Sequence, residues 1–200
     1  TKQLKRNRIY LDFPSGGATE NIMMAATLAE GETIIENAAQ EPEIVDVAQF
    51  LNKAGANISG AGTSTIVIQG GGELQGKDYS VMPDRIEVAT LMIAAAVTKG
   101  DVTVQGVVPD HIEPLIRKLK EAGAEVNISA NGIRVAGNGT LQSVDIETLP
   151  FPGFPTDMQA QFMSLLTIAS GVGVVTETIF ENRFMHANEL MRMGANIRVE

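Results

Sequence analysis

Two kinds of apolar pattern alternate along the chain. In PEIVDVAQFLNKAG, Ile44, Val47, Ala48 and Leu51 recur at the i, i+3, i+4, i+7 spacing of a helix with one wet face, opened by Pro42 and closed by Gly55. DHIEPLIRKLKEAG repeats the spacing with Ile112, Leu115, Ile116 and Leu119. There Asp110 is the candidate N-cap, and Pro114 falls in the first turn, where a missing N–H costs little. The second pattern is apolar on every side: Ile86, Val88, Ala89, Leu91, Met92, Ile93 and Ala94 to Val97 surround one helix. Such a helix is expected to be buried all round, and at ~12 to 15 residues it is too short to span a bilayer. Met23, Met24, Met92, Met158 and Met163 read as flexible filler of that interior.

These elements recur in order. Strand-like stretches end at Pro14, Pro83 and Pro155 (RIYLDFP, KDYSVMP, VDIETLPFPGFP), and apolar helices end at Gly31, Gly100 and Gly171. The Pro-to-Gly distances are 17, 17 and 16 residues. Short β-rich runs follow (TIIEN, DVTVQG, VVTETIF), then amphipathic helices closing at Gly55, Gly123 and Gly194. Those glycines lie 24, 23 and 23 residues beyond the first set. Closing strands are expected at TIVIQG and GIRVAG, with Asn131-Gly132 as a type I′ turn signal. The fold expected is α/β: repeated βα modules of about 70 residues, apolar helices buried together and sheets outside. Only ANIRVE follows Gly194, so the third module reads as truncated, with an unpaired strand edge near Ala195 to Val199.

Composition narrows the chemistry. The chain has 200 residues, 44% of them apolar and 20% charged, which is ordinary for a folded domain. A net charge of −9 argues against nucleic acid as the main partner, although Lys2, Lys5, Arg6 and Arg8 form a local basic cluster. Zero Cys removes disulfides, thiolate metal sites and cysteine nucleophiles from this chain, and two His disfavour a multi-histidine site. No metal and no cofactor are expected. No apolar run approaches the ~20 residues of a membrane span and no signal peptide opens the chain, so no membrane partner and a cytoplasmic location are expected.

Several residues could carry chemistry. Ser15, Gly16 and Gly17 precede an apolar helix, and converging N–H groups there suit an anion such as a pyrophosphate. An ordinary turn with Thr19 as N-cap is the alternative. Glu41 and Glu43 flank Pro42 at a helix start, where carboxylates complement the dipole. Arg85 opens a buried helix, paired with Asp84 or Glu87 or facing a substrate phosphate. Asp157 opens another after Phe154-Pro155-Thr156, as a cap or as a base in a poorly hydrated cleft. His111 reads as solvated and His186 as structural or surface.

The strings LDFPSGGATENIMMAATLAEGETIIENAAQEPEIVD, PDRIE, FPTDMQAQF and TETIFENRFMHANELMRMGA closely resemble the UDP-N-acetylglucosamine 1-carboxyvinyltransferases, a family of enolpyruvyl transferases, over essentially the whole chain. The resemblance implies a prism-like fold of two lobes, each of three βα modules, with the active site between them. The crossover would fall near Val81 to Arg85. Residues 1–82 would then be one module of one lobe, and 83–200 two modules of the other, the second truncated.

The implied reaction moves the enolpyruvyl group of phosphoenolpyruvate to the 3-hydroxyl of UDP-N-acetylglucosamine. It runs by addition and elimination, as the first committed, cytoplasmic step of peptidoglycan synthesis, and so bears on cell-wall biogenesis, cell shape and division. It implies Asp157 as the general base, Ser15 to Gly17 as the uridine-diphosphate contact, Ile179 as a main-chain uridine contact and Arg183 in the substrate pocket. Arg85 and Glu41 are further substrate-binding candidates.

The chain departs from that family at Gly16, where Val is common, and at Phe13, where many members have Lys. The family's acid, usually a Cys, its near-N-terminal Lys and its late arginines fall outside the match, so the isolated chain is expected to be inactive and to self-associate through its open edge. The alternatives are the related 3-phosphoshikimate 1-carboxyvinyltransferase, against which TDMQAQF and ENRFMH weigh, and a non-catalytic nucleotide-binding scaffold.

Overall fold

The computed structural model describes residues 4–200, so Lys2 of the basic cluster lies outside the described residues. The chain folds as two compact units, Thr1–Met82 and Pro83–Glu200.

In the first unit the order is β1 (Arg8–Tyr10), α1 (Gly16–Thr27), β2 (Gly31–Glu36), α2 (Pro42–Lys53), β3 (Asn57–Ser59) and β4 (Thr65–Gly70). The sheet order is β1-β2-β4-β3, with β1 parallel to β2 and the other pairs antiparallel. Register places Ile35 opposite Ile66 and Ile58 opposite Ile68, so β-branched side chains stack on the face that meets the helices. Met23, Ile35, Ile44, Ile66 and Ile68 are fully buried there. Gly70 is required by packing: a Cβ on it would lie 2.1 Å from the Ala29 carbonyl oxygen and 2.2 Å from that of Ala26.

The second unit carries α3 (Arg85–Val97), β5 (Asp101–Val104), α4 (Glu113–Glu121), β6 (Glu125–Ser129), β7 (Gly132–Ala136), β8 (Ile146–Glu147), α5 (Gln159–Leu166), β9 (Val175–Thr176) and α6 (Met185–Arg192). Its main sheet runs β5-β7-β6, and β8 pairs with β9 in parallel. The arrangement β5-β7-β6 repeats β2-β4-β3, each with the last strand of the module in the middle, so the repeat read in the sequence is structural. Met92, Leu115, Ile116, Leu119, Ile133, Met158 and Phe162 form its core, and α3 packs against α5.

Several sequence expectations are corrected. KDYSVMP forms no strand: residues 71–84 are irregular, and Tyr79 donates its hydroxyl to Asp46 at 2.8 Å instead of the backbone joining a ladder. VVTETIF yields only β9, and residues 195–200 form no strand, so no unpaired strand edge exists at Ala195 to Val199. Asp110 belongs to a short 3-10 turn, Pro109–His111, and α4 starts after Ile112 without a side-chain cap. The apolar helices are not buried all round. Met24 is 44% exposed, and Leu28 and Leu91 are exposed too, because each unit lays its sheet and helices against one side of α1 and α3 only. Within the second unit α3 and α5 pack on each other.

Candidate functional site

In the first unit the turn before α1 is built by Ser15. Its Oγ accepts from the Ala18 N–H at 3.3 Å and its carbonyl accepts from the Thr19 N–H at 2.9 Å. Ser15, rather than Thr19, is thus the N-cap. Thr19 is fully buried and couples two segments: its hydroxyl donates to the Ser15 carbonyl at 2.8 Å and accepts from the Ala39 N–H at 3.0 Å. The first-turn N–H groups of Gly16 and Gly17 have no acceptor within the helix, the condition for receiving an anion. Neither glycine lies in the left-handed region, and a Cβ on either would meet nothing within 4 Å.

The Ala39 link brings the start of α2 beside α1. Glu41 occupies the N-cap position of α2 but makes no capping bond, and its Oε2 is buried without a hydrogen-bond partner. Burial, then the charges of Glu43 and Glu41, push the Glu20 carboxyl above its ordinary range. Carboxylates from α1 and from the start of α2 are therefore near enough to repel one another.

In the second unit three expected residues come together. Asp157 lies in a 3-10 turn, Thr156–Met158, that leads into α5, and neither it nor Thr156 caps the helix. The Asp157 carboxylate is more than half exposed and accepts from Arg183 Nη2 at 2.7 Å. Arg183 Nη1 donates to Thr156 Oγ1 at 2.8 Å, and its guanidinium stands 5.0 Å from the Phe180 ring. Ile179 adjoins this group, but its N–H already donates to Glu177 Oε1 at 2.9 Å, which leaves the carbonyl as its available main-chain group.

Arg85 begins α3 with its guanidinium 5.8 Å from the Phe151 ring. Asp84 accepts at Oδ1 from the Ile86 and Glu87 N–H groups and so is the N-cap of α3. His186 Nε2 is buried without a partner, and burial together with the Arg183 charge lowers its pKa.

Sequence reasoning missed Glu177, Thr148 and Thr156. Glu177 Oε1 accepts from the Thr148 hydroxyl at 2.9 Å and from the Ile179 and Phe180 N–H groups, and its Oε2 accepts from the Thr156 hydroxyl at 2.9 Å. Burial alone would raise its pKa, but those backbone and hydroxyl donors outweigh burial and hold it below its ordinary value. The only sequence signal was a Glu between two Thr, in TETIFENR, ahead of an arginine.

The second unit thus sets an acid–guanidinium pair beside a donor-filled turn, on repeated βα modules. The chain belongs to the EPSP synthase (3-phosphoshikimate 1-carboxyvinyltransferase) family, whose profile matches residues 1–200. Within that class it is 59% identical over 199 residues to UDP-N-acetylglucosamine 1-carboxyvinyltransferase 1 of Caldanaerobacter subterraneus subsp. tengcongensis, covering 100% of this chain and 48% of the relative. It is 62% identical over 200 residues to UDP-N-acetylglucosamine 1-carboxyvinyltransferase 2 of Carboxydothermus hydrogenoformans, covering 99% and 48%. The chain thus spans about half the length of the curated relatives it matches. Among solved structures, the enolpyruvyl transferase NikO from Streptomyces tendae matches with a TM-score of 0.86, over 100% of this chain and 50% of that one. At 24% identity this shared property is the fold.

Proposed function

We propose that this chain forms part of an enolpyruvyl transferase that moves the carboxyvinyl group of phosphoenolpyruvate onto the 3-hydroxyl of UDP-N-acetylglucosamine. Asp157 takes the proton of the attacking hydroxyl as its oxygen bonds to C2 of phosphoenolpyruvate, while a general acid outside this chain protonates C3. Loss of a C3 proton and of phosphate then restores the double bond. Arg183 holds Asp157 and adds positive charge for the anionic substrates. The Ser15 to Gly17 turn receives the pyrophosphate at the start of α1, and the Ile179 main chain meets the uridine. Arg85 and Glu41 complete the substrate contacts. On this reading the protein works in the cytoplasm in peptidoglycan synthesis, and the isolated 200-residue chain does not turn over.

The observation that carries the reading is the Asp157–Arg183–Thr156 arrangement, which fixes a solvent-reachable carboxylate beside a guanidinium at the start of a helix. Names of relatives at 59% and 62% identity support the choice of acceptor. The test is phosphate release by the complete protein from phosphoenolpyruvate, offered UDP-N-acetylglucosamine or shikimate 3-phosphate, with products read by mass spectrometry. Release that depends on the sugar nucleotide supports the reading. Release that depends on shikimate 3-phosphate, or none with either, overturns it.

A further inference from the structure

A hydrogen-bond chain in the second unit runs in one direction only. Arginine has no acceptor, so Thr156 Oγ1 must accept from Arg183 Nη1, and its single proton must then point to Glu177 Oε2. The Glu177 carboxylate, which only accepts, terminates that chain. Its other oxygen collects the Ile179 and Phe180 N–H groups and the hydroxyl of the fully buried Thr148. Thr148 is itself fixed, donating its N–H to the Thr176 carbonyl at 2.9 Å and accepting from the Thr178 N–H at 2.9 Å. Glu177 is therefore tied to the strand pair β8–β9 behind it and faces the reacting group only through intermediaries.

We propose that Glu177 is a positioning residue for the transfer reaction. Through Thr156 it fixes the Arg183 guanidinium, and through Arg183 it aims the Asp157 carboxylate. Its second oxygen shapes the turn that presents Ile179. One carboxylate thus sets both the base and the main-chain contact, and each loses its geometry if Glu177 loses its acceptor oxygens. The role rests on the reading of Asp157 as the base. Its own geometry can be measured without turnover.

Two arms test it. In the 200-residue chain, NMR of Glu177→Gln is expected to move the Ile179 and Phe180 amide resonances and the Arg183 guanidinium resonances. Thr156→Val, which keeps shape and removes the relay hydroxyl, is expected to move Arg183 while leaving the Ile179 and Phe180 amides in place. In the complete protein, Glu177→Gln is expected to lower kcat roughly 10- to 100-fold, the scale of a misaimed group, with KM for phosphoenolpyruvate little changed. Added to Asp157→Asn, it should cost less than about twofold more, because both act on one group. Thr156→Ser should retain about tenfold more turnover than Thr156→Val.

A merely structural Glu177 would lower stability and act additively with Asp157→Asn. Arg183 resonances unmoved in Thr156→Val, or full additivity in the double variant, overturn the positioning role. An active parent whose Glu177→Gln variant stays within about twofold also sinks that role alone. A parent without turnover sinks the transferase reading and the role together, even if the NMR couplings hold.

Discussion

Replacing Gly16 by Val tests the Ser15 to Gly17 turn both as backbone and as binding site. Gly16 is the first residue of α1, its φ lies outside the left-handed region, and a Cβ there meets nothing within 4 Å. Val therefore fits without strain, and its main effect falls on the unfolded chain, which loses freedom. That is worth about 0.4–1 kcal/mol of stabilisation for a compatible Gly replacement, reduced by the stiffness of a β-branched side chain in a helix. The contrast is Gly70→Ala, whose added Cβ would sit 2.1 and 2.2 Å from two carbonyl oxygens of the backbone. Neither carbonyl can swing aside like a side chain, so a loss of about 1–3 kcal/mol or more is expected. Urea unfolding of the 200-residue chain, followed by circular dichroism, measures both variants against the parent. Titration with UDP-N-acetylglucosamine, read from the Gly16, Gly17 and Ala18 amide resonances, measures binding, and Val at Gly16 is expected to alter the affinity. Destabilisation of Gly16→Val by more than about 1 kcal/mol would refute the backbone reasoning. Unaltered affinity would leave the turn a plain connector.

Phe162 is fully buried and packs edge-to-face on Phe154 at 5.5 Å, so Phe162→Ala is expected to destabilise the second unit by about 3–5 kcal/mol in the same unfolding assay; a loss below about 1 kcal/mol would contradict the core assignment. The folded pKa of Glu177 is depressed below 4.5, so its stabilising contribution is present above that pH and is lost as pH falls through the lower folded value. The Ile179 and Phe180 amide resonances should accordingly hold their positions down to about pH 4.5 and move only below it, whereas movement beginning between about pH 5 and 6 would contradict the network. The isolated chain is expected to self-associate through the exposed Met24, Leu28 and Leu91 rather than through residues 195–200, and a clean monomer at high concentration in sedimentation velocity would count against this.

Residues that speak through spacing were legible, and residues that speak through contacts were not. The helices α2 and α4 followed from apolar positions at i, i+3, i+4, i+7, and Gly55 and Gly123 close them at φ 114° and 93°. At the end of α3 the left-handed residue is Lys99, at φ 56°, rather than the expected Gly100, because the chain reverses one position earlier. Periodicity marked α1 and α3 as apolar, but depth of burial depends on what is packed around a helix, and here only one side is covered. In the site, Asp157 and Arg183 were named separately; their pairing across 26 residues has no signature in local pattern. Glu177 was missed for the same reason. Its partners Thr148 and Thr156 lie 29 and 21 residues away, and only the fold brings them to one carboxylate.

The central claim is that Asp157, aimed by Arg183, is the base of an enolpyruvyl transfer, and the pH profile of Asp157→Asn in the complete protein tests it most directly. Asparagine keeps the size of the side chain and an oxygen that can accept from Arg183 while removing the proton acceptor. The account predicts a fall in kcat of about 10² or more with sugar-nucleotide binding and fold retained. Turnover within about threefold of the parent from about pH 6 to 9 would contradict it, leaving Asp157 as a partner for Arg183 and nothing more.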